Sequence, residues 1–100
     1  MKQEELKSLK YRITLYVEDL KNDQYKHFDI RDIHPEVFAP ATLVNLLKRL
    51  GWEKCGSIEP NGWEGTTEIT LSHENYDFDL IVYYTGYYGD LCLYRADIDD

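Results

Sequence analysis

The sequence predicts an α+β domain in which two helices pack on one face of a four-stranded antiparallel meander sheet. The first half holds two stretches with apolar residues at helical spacing. The second half holds four short runs rich in Tyr, Ile, Val and Thr, separated by turn residues. With 100 residues, 43% of them hydrophobic, the chain 1–100 reads as a single domain large enough to bury a core without staples.

The first helix is expected over about residues 3–21, where Leu6, Leu9, Ile13, Tyr16, Val17 and Leu20 recur at helical intervals. Tyr11, Ile13, Leu15 and Val17 also alternate as a strand would. The helical pattern is the longer one, and it starts with Glu4 and Glu5, which suit a helix N-terminus. Asn22-Asp23 ends it, and His27–Ile30 has the makings of a short strand. Pro35 breaks the chain. Pro40 then opens a second helix at its first position, carrying Leu43, Val44, Leu46, Leu47 and Leu50 to a stop at Gly51. Four strands follow, at about 52–58, 66–72, 76–84 and 91–98, with turns at Pro60-Asn61-Gly62, Glu74-Asn75 and Thr85–Gly89.

The turns imply a register. A two-residue turn at Glu74-Asn75 pairs Leu71 with Phe78 and Ile69 with Leu80. A five-residue loop at Thr85–Gly89 pairs Val82 with Cys92, Leu80 with Tyr94 and Phe78 with Ala96. These residues, with Ile98, would share the core face, closed by Leu6, Leu9, Ile13, Val17, Leu43, Leu47 and Leu50. The outer face would hold Glu68, Thr70, Ser72, Asp77, Asp79, Ile81, Tyr83, Leu91, Leu93, Arg95 and Asp97. A last loop one residue shorter would turn the final strand over.

Charge divides the chain. Residues 1–50 hold nine Lys/Arg against eight Asp/Glu, net +1, whereas residues 51–100 hold Lys54 and Arg95 against eleven Asp/Glu, net −9. The acidic half is also the strand-rich, Tyr-rich half, so it reads as a folded sheet and not as a disordered tail. The overall charge of −8 disfavours unspecific binding to nucleic acid or anionic membrane. On the predicted outer face, Glu68, Asp77, Asp79 and Asp97 gather at one end, with Asp77 facing Asp97 and Arg95 opposite Asp79. Facing like charges cost a sheet only about 0.2–1 kcal/mol, which a fold tolerates and a surface selected for negative charge would show. The other end carries an apolar patch, Ile81, Tyr83, Leu91 and Leu93, below the loop residues Tyr87 and Tyr88. Trp63, in the loop Gly62–Gly65, is a further aromatic contact candidate, while Trp52 reads as core.

Such a face suits protein docking, because tyrosine offers contact area at low entropy cost and carboxylates steer a basic partner. Catalysis is not expected. The sequence lacks a Gly-rich phosphate loop, a nucleophile elbow and a Cys–His motif, and carboxylates on an open sheet lack an enclosed pocket. No metal or cofactor is expected either, since His27, His34 and His73 are scattered and the aspartates lack calcium-loop spacing. Cys55 and Cys92 are too few for a disulfide scaffold; each is expected as a small buried hydrophobe, reduced in the cytoplasm, and a bridge between them needs neighbouring strands. No apolar run approaches the ~18 residues of a membrane span, and the charged Met1–Glu5 lacks a signal peptide's apolar stretch, so the cytoplasm is the expected compartment.

Residues 25–70 resemble a winged helix–turn–helix. Phe28-Asp29-Ile30 would be the first strand, Arg31–Leu50 the helical unit with Ala41–Leu50 as reading helix, and the hairpin from Trp52 to Leu71 the wing. The resemblance implies that Thr42, Asn45, Lys48 and Arg49 face DNA. Pro35 falls inside the supposed first helix, Ala39 stands in place of the turn glycine, and the wing is acidic. In size, acidity and tyrosine content the whole chain resembles the small inhibitors of phages and mobile elements, of the anti-CRISPR and antirestriction type. That resemblance implies a protein that occupies the basic nucleic-acid channel of a nuclease. Glu68, Asp77, Asp79 and Asp97 would replace phosphates, and Tyr83, Tyr87 and Tyr88 would anchor. A third reading is a structural protein that buries Ile81, Leu91 and Leu93 in a homodimer.

Overall fold

The computed structural model describes residues 3–37, 39–58, 65–86 and 89–97. Helix α1 spans Gln3–Asn22 and buries Leu9, Ile13, Val17 and Leu20, one stripe at intervals of four and three. The helical spacing therefore prevails over the short alternation at residues 11–17. At its end the Asn22 amide donates to the Glu18 carbonyl (3.1 Å), and Asp23 Oδ1 accepts from the Tyr25 N–H (3.1 Å) to turn the chain. Strand β1 (His27–Asp29) and a single helical turn, α2 (Ile30–Ile33), follow. Helix α3 spans Pro40–Arg49, with Pro40 at its start and Leu43, Val44, Leu46 and Leu47 buried. It closes on Gly51, whose φ is +100°: the Gly51 N–H reaches the Lys48 carbonyl (3.1 Å) and the Trp52 N–H that of Leu47 (3.0 Å). This is the Schellman pattern, in which a residue at positive φ satisfies the last helical carbonyls.

Strands β2 (Glu53–Ile58), β3 (Thr66–Ser72), β4 (Phe78–Thr85) and β5 (Asp90–Asp97) form the expected antiparallel meander. Among the described residues the sheet has five strands and not four, because β1 pairs with β5 at the edge, in the order β1-β5-β4-β3-β2. Helices α1 and α3 share one core with Leu71, Phe78, Leu80, Val82, Leu91 and Leu93. Trp52 is buried there as expected and stacks on Tyr76, ring centroids 5.1 Å apart. The Cα radius of gyration is 13.1 Å, close to the ~13 Å of a compact 100-residue chain.

Two expected registers shift, with opposite consequences. Between β3 and β4, Leu71 pairs with Leu80 and Ile69 with Val82, a slip of two residues. Side chains alternate with period two, so every residue keeps its face. Between β4 and β5, Val82 pairs with Leu93, Leu80 with Arg95 and Ile81 with Tyr94, a slip of one. That slip turns β5 over. Leu91 and Leu93 enter the core, and Cys92 and Tyr94 leave it. The cause is the loop: Thr85 stays in the strand opposite Asp90, and its hydroxyl accepts from the Asp90 N–H (3.3 Å). Gly89, at φ +73°, closes the remaining residues with its N–H on the Thr85 carbonyl (2.8 Å). The apolar patch of Ile81, Leu91 and Leu93 thus does not exist, and a dimer built on it loses its contact surface.

The cysteine expectations are corrected as well. Cys55 sits exposed at a bulge in β2, between Lys54 and Gly56, and Cys92 is half-buried outside the core. Two strands separate them, and both are free thiols. Ile98 lies outside the described residues.

Candidate functional site

With the helices on one side, the other side of the sheet displays the residues between the core positions. Two ladder rows define its centre. One row runs Glu68–Tyr83–Cys92–Asp29 across β3, β4, β5 and β1. Its neighbour runs Thr70–Ile81–Tyr94–His27. Strands lie about 4.8 Å apart, so the backbones of Glu68 and Asp29 in the first row stand roughly 14 Å apart with a tyrosine and a cysteine between them. Ile81 is buried yet belongs to no core cluster, and it sits between Thr70 and Tyr94 in its row.

Hydrogen bonds fix both carboxylates. The Tyr94 hydroxyl donates to Glu68 Oε1 (3.1 Å), and the Cys92 thiol donates to Asp29 Oδ1 (3.0 Å). Partial burial, reinforced by the Asp29 charge and hydrogen bond, pushes the Cys92 thiol up to about 12. Burial, and then the Glu68 charge, pushes the Tyr94 phenol up to about 12. Both groups therefore stay neutral donors at ordinary pH and hold the carboxylates in place. Asp79 lies on the same face, opposite Ala96. Among the described residues the ladder places no Lys or Arg on this face.

The expected site residues divide. Glu68, Asp79 and Tyr83 share the open face, as expected. Asp77 is exposed in the bend before β4, and Asp97 pairs with Phe78, so the facing pair Asp77–Asp97 does not form. Arg95 does not sit opposite Asp79. It pairs with Leu80, and its Nη1 donates to the Leu20 and Lys21 carbonyls (3.1 and 3.2 Å) at the end of α1, with the guanidinium 4.7 Å from the Phe78 ring centroid. Trp63, Tyr87 and Tyr88 lie outside the described residues. Tyr94, Cys92, Asp29 and His27 are site residues that the sequence did not reveal. The first two follow from the one-residue loop difference, and the last two from the pairing of β1 with β5.

Two other polar clusters tie elements together. Tyr16 stacks on Phe28 (4.5 Å between centroids), and its hydroxyl lies 2.8 Å from Nε2 of buried His34, whose Nδ1 is 3.5 Å from Glu36. The Tyr76 hydroxyl donates to Glu18 Oε1 (2.8 Å), and burial followed by that carboxylate raises its pKa. On α3, Asn45, Lys48 and Arg49 are exposed and Thr42 is half-buried, while the preceding α2 ends before Pro35. Among the described residues no group of three or more His, Cys, Asp or Glu could hold a metal ion, and no helix is long and apolar enough to cross a membrane.

The fold and this face define an open-faced α+β sheet, with helices on one side and an acidic tyrosine surface on the other. No family model, curated protein or solved structure matches the chain.

Proposed function

We propose that this chain is a non-enzymatic protein-binding module of the cytoplasm that docks the open face of its sheet on a basic surface of another protein. One observation carries the reading: two hydrogen-bonded carboxylates, Glu68 and Asp29, flank Tyr83 and Tyr94 on a face whose ladder, among the described residues, holds no Lys or Arg. Fixed carboxylates lose little freedom when a cation arrives, and tyrosines supply the apolar contact. The nucleic-acid channel of a nuclease is a surface of the required charge. In that setting Glu68, Asp79 and Asp29 stand where phosphates would, and binding blocks the nuclease by competition.

Capture from the native cell by the parent chain and by the triple variant Asp29→Asn/Glu68→Gln/Asp79→Asn tests this. The reading expects proteins that the parent retains and the folded variant loses. Retention of the same proteins by both overturns it. The exposure of Asn45, Lys48 and Arg49 on α3 favours one rival, duplex DNA binding. Under that reading Lys48→Ala/Arg49→Ala abolishes a gel shift that the acidic triple variant retains; absence of any shift with the parent chain removes it.

A further inference from the structure

The open face is not flat. Beside the turn that leads into β1 lies a hollow of about 500 Å³, walled by Tyr25, His27, Tyr83, Cys92 and Tyr94. That volume falls in the range of small-ligand sites. Three of its walls are phenol rings, which present electron-rich faces. The neutral Tyr94 hydroxyl donates a hydrogen bond to Glu68, a contact that leaves more electron density on the ring. Asp29 stands behind the Cys92 wall, already oriented by the thiol. Tyr25 is highly exposed at 85%, but its backbone is pinned by Asp23, so the ring stands at the rim from a fixed base.

Two cations also border the hollow, and both point their charge elsewhere. Lys26 Nζ lies 3.6 Å from Asp19 and over the Phe28 ring. Arg95 donates to the carboxyl end of α1. Among the described residues no carboxylate lines the hollow itself; Asp29 and Glu68 stand one hydrogen bond behind its Cys92 and Tyr94 walls.

Resting on the docking reading above, we propose that this hollow is the seat for an arginine side chain presented by the partner. A guanidinium is planar and can lie against a phenol face while its edge donates to a carboxylate. An ammonium is a point charge that cannot stack, so arginine is preferred to lysine.

The test is a titration of the ¹⁵N-labelled chain, followed by amide shifts, with four acetylated and amidated peptides. These are Gly-Gly-Arg-Gly-Gly and its counterparts with citrulline, lysine or glutamate at the centre. The arginine peptide is expected to move the amides of residues 25–27, 83 and 92–94 at millimolar concentration. Citrulline keeps the planar shape without the charge and is expected to bind about tenfold more weakly, with glutamate weaker still. Tyr83→Ala should weaken the arginine peptide about tenfold; Tyr25→Ala, on an exposed turn where the fold is safe, should weaken it severalfold, and Tyr11→Ala on α1 not at all. Equal binding of citrulline, lysine or glutamate, or arginine shifts that map elsewhere, overturns the seat. Polyarginine separates the two levels of the proposal. If it perturbs the Glu68 and Asp79 region equally in the parent and Tyr83→Ala chains, the docking face stands and the arginine seat is wrong. If it leaves that face unperturbed, both are wrong.

Discussion

Arg95 is the residue on which the two sides of the molecule meet. It starts on β5, covers the Phe78 ring and ends on the carbonyls of α1. Hydrogen bonds from a charged donor contribute about 1.5–3 kcal/mol. Arg95→Ala is therefore expected to lower stability by about 2 kcal/mol in urea unfolding, and Arg95→Lys to recover only part, lacking the planar guanidinium that covers the Phe78 ring while its Nη1 donates to both carbonyls. Cys92 and Tyr94 make a second prediction through their protons. Each has a folded pKa of about 12, above its ordinary value. Above about pH 9 the unfolded chain releases these protons while the native chain retains them, so stability falls as pH rises. Their contribution is whole below that pH and is lost as pH climbs toward 12. Urea midpoints at about pH 8 and about pH 10.5 should show the decline. Cys92→Ser, which keeps a donor for Asp29 but no titrating thiol, should show a shallower one.

At the scale of elements, legibility followed the physics of each signal. Helices α1 and α3 announce themselves through several apolar residues on one stripe, and through Pro40 and Gly51 at the ends of α3. A strand's face depends instead on a single integer, the length of the preceding loop. Glu74-Asn75 hid a two-residue error because two residues restore the face. Thr85 hid a one-residue error because a threonine before Gly86 belongs as readily to a turn as to a strand, and only its bond to Asp90 decides. The acids Glu68 and Asp79 were thus placed correctly, while Tyr94 and Leu93 exchanged sides. The pairing of β1 with β5 is a contact between distant segments and left no local mark. Gly51 gives this scale its prediction. A Cβ there would lie 2.5 Å from the His73 ring, on a backbone at φ +100° that side chains rarely adopt. Gly51→Ala should cost about 1–2 kcal/mol and lower Tm by roughly 5–10 °C.

Across the whole molecule, charge of one sign gathers on the open face and charge of both signs on the helices. The helices carry exposed Lys7, Arg12, Lys48 and Arg49 beside Glu4, Glu5 and Asp19, while the open face of the sheet carries Glu68, Asp79 and Asp29. Such separation steers a basic partner toward one side and fades within about 10 Å at ordinary salt. Association with that partner should accordingly slow as salt rises, more for the parent chain than for Asp29→Asn/Glu68→Gln/Asp79→Asn, as read by stopped-flow mixing. The side that meets the partner can be read directly from hydroxyl-radical footprinting of the purified complex by mass spectrometry. Tyr83 and Tyr94 should be protected relative to the free chain, with Tyr11, 66% exposed on the far side of α1, oxidised as before. Protection of Tyr11 with Tyr83 and Tyr94 unchanged would contradict the account.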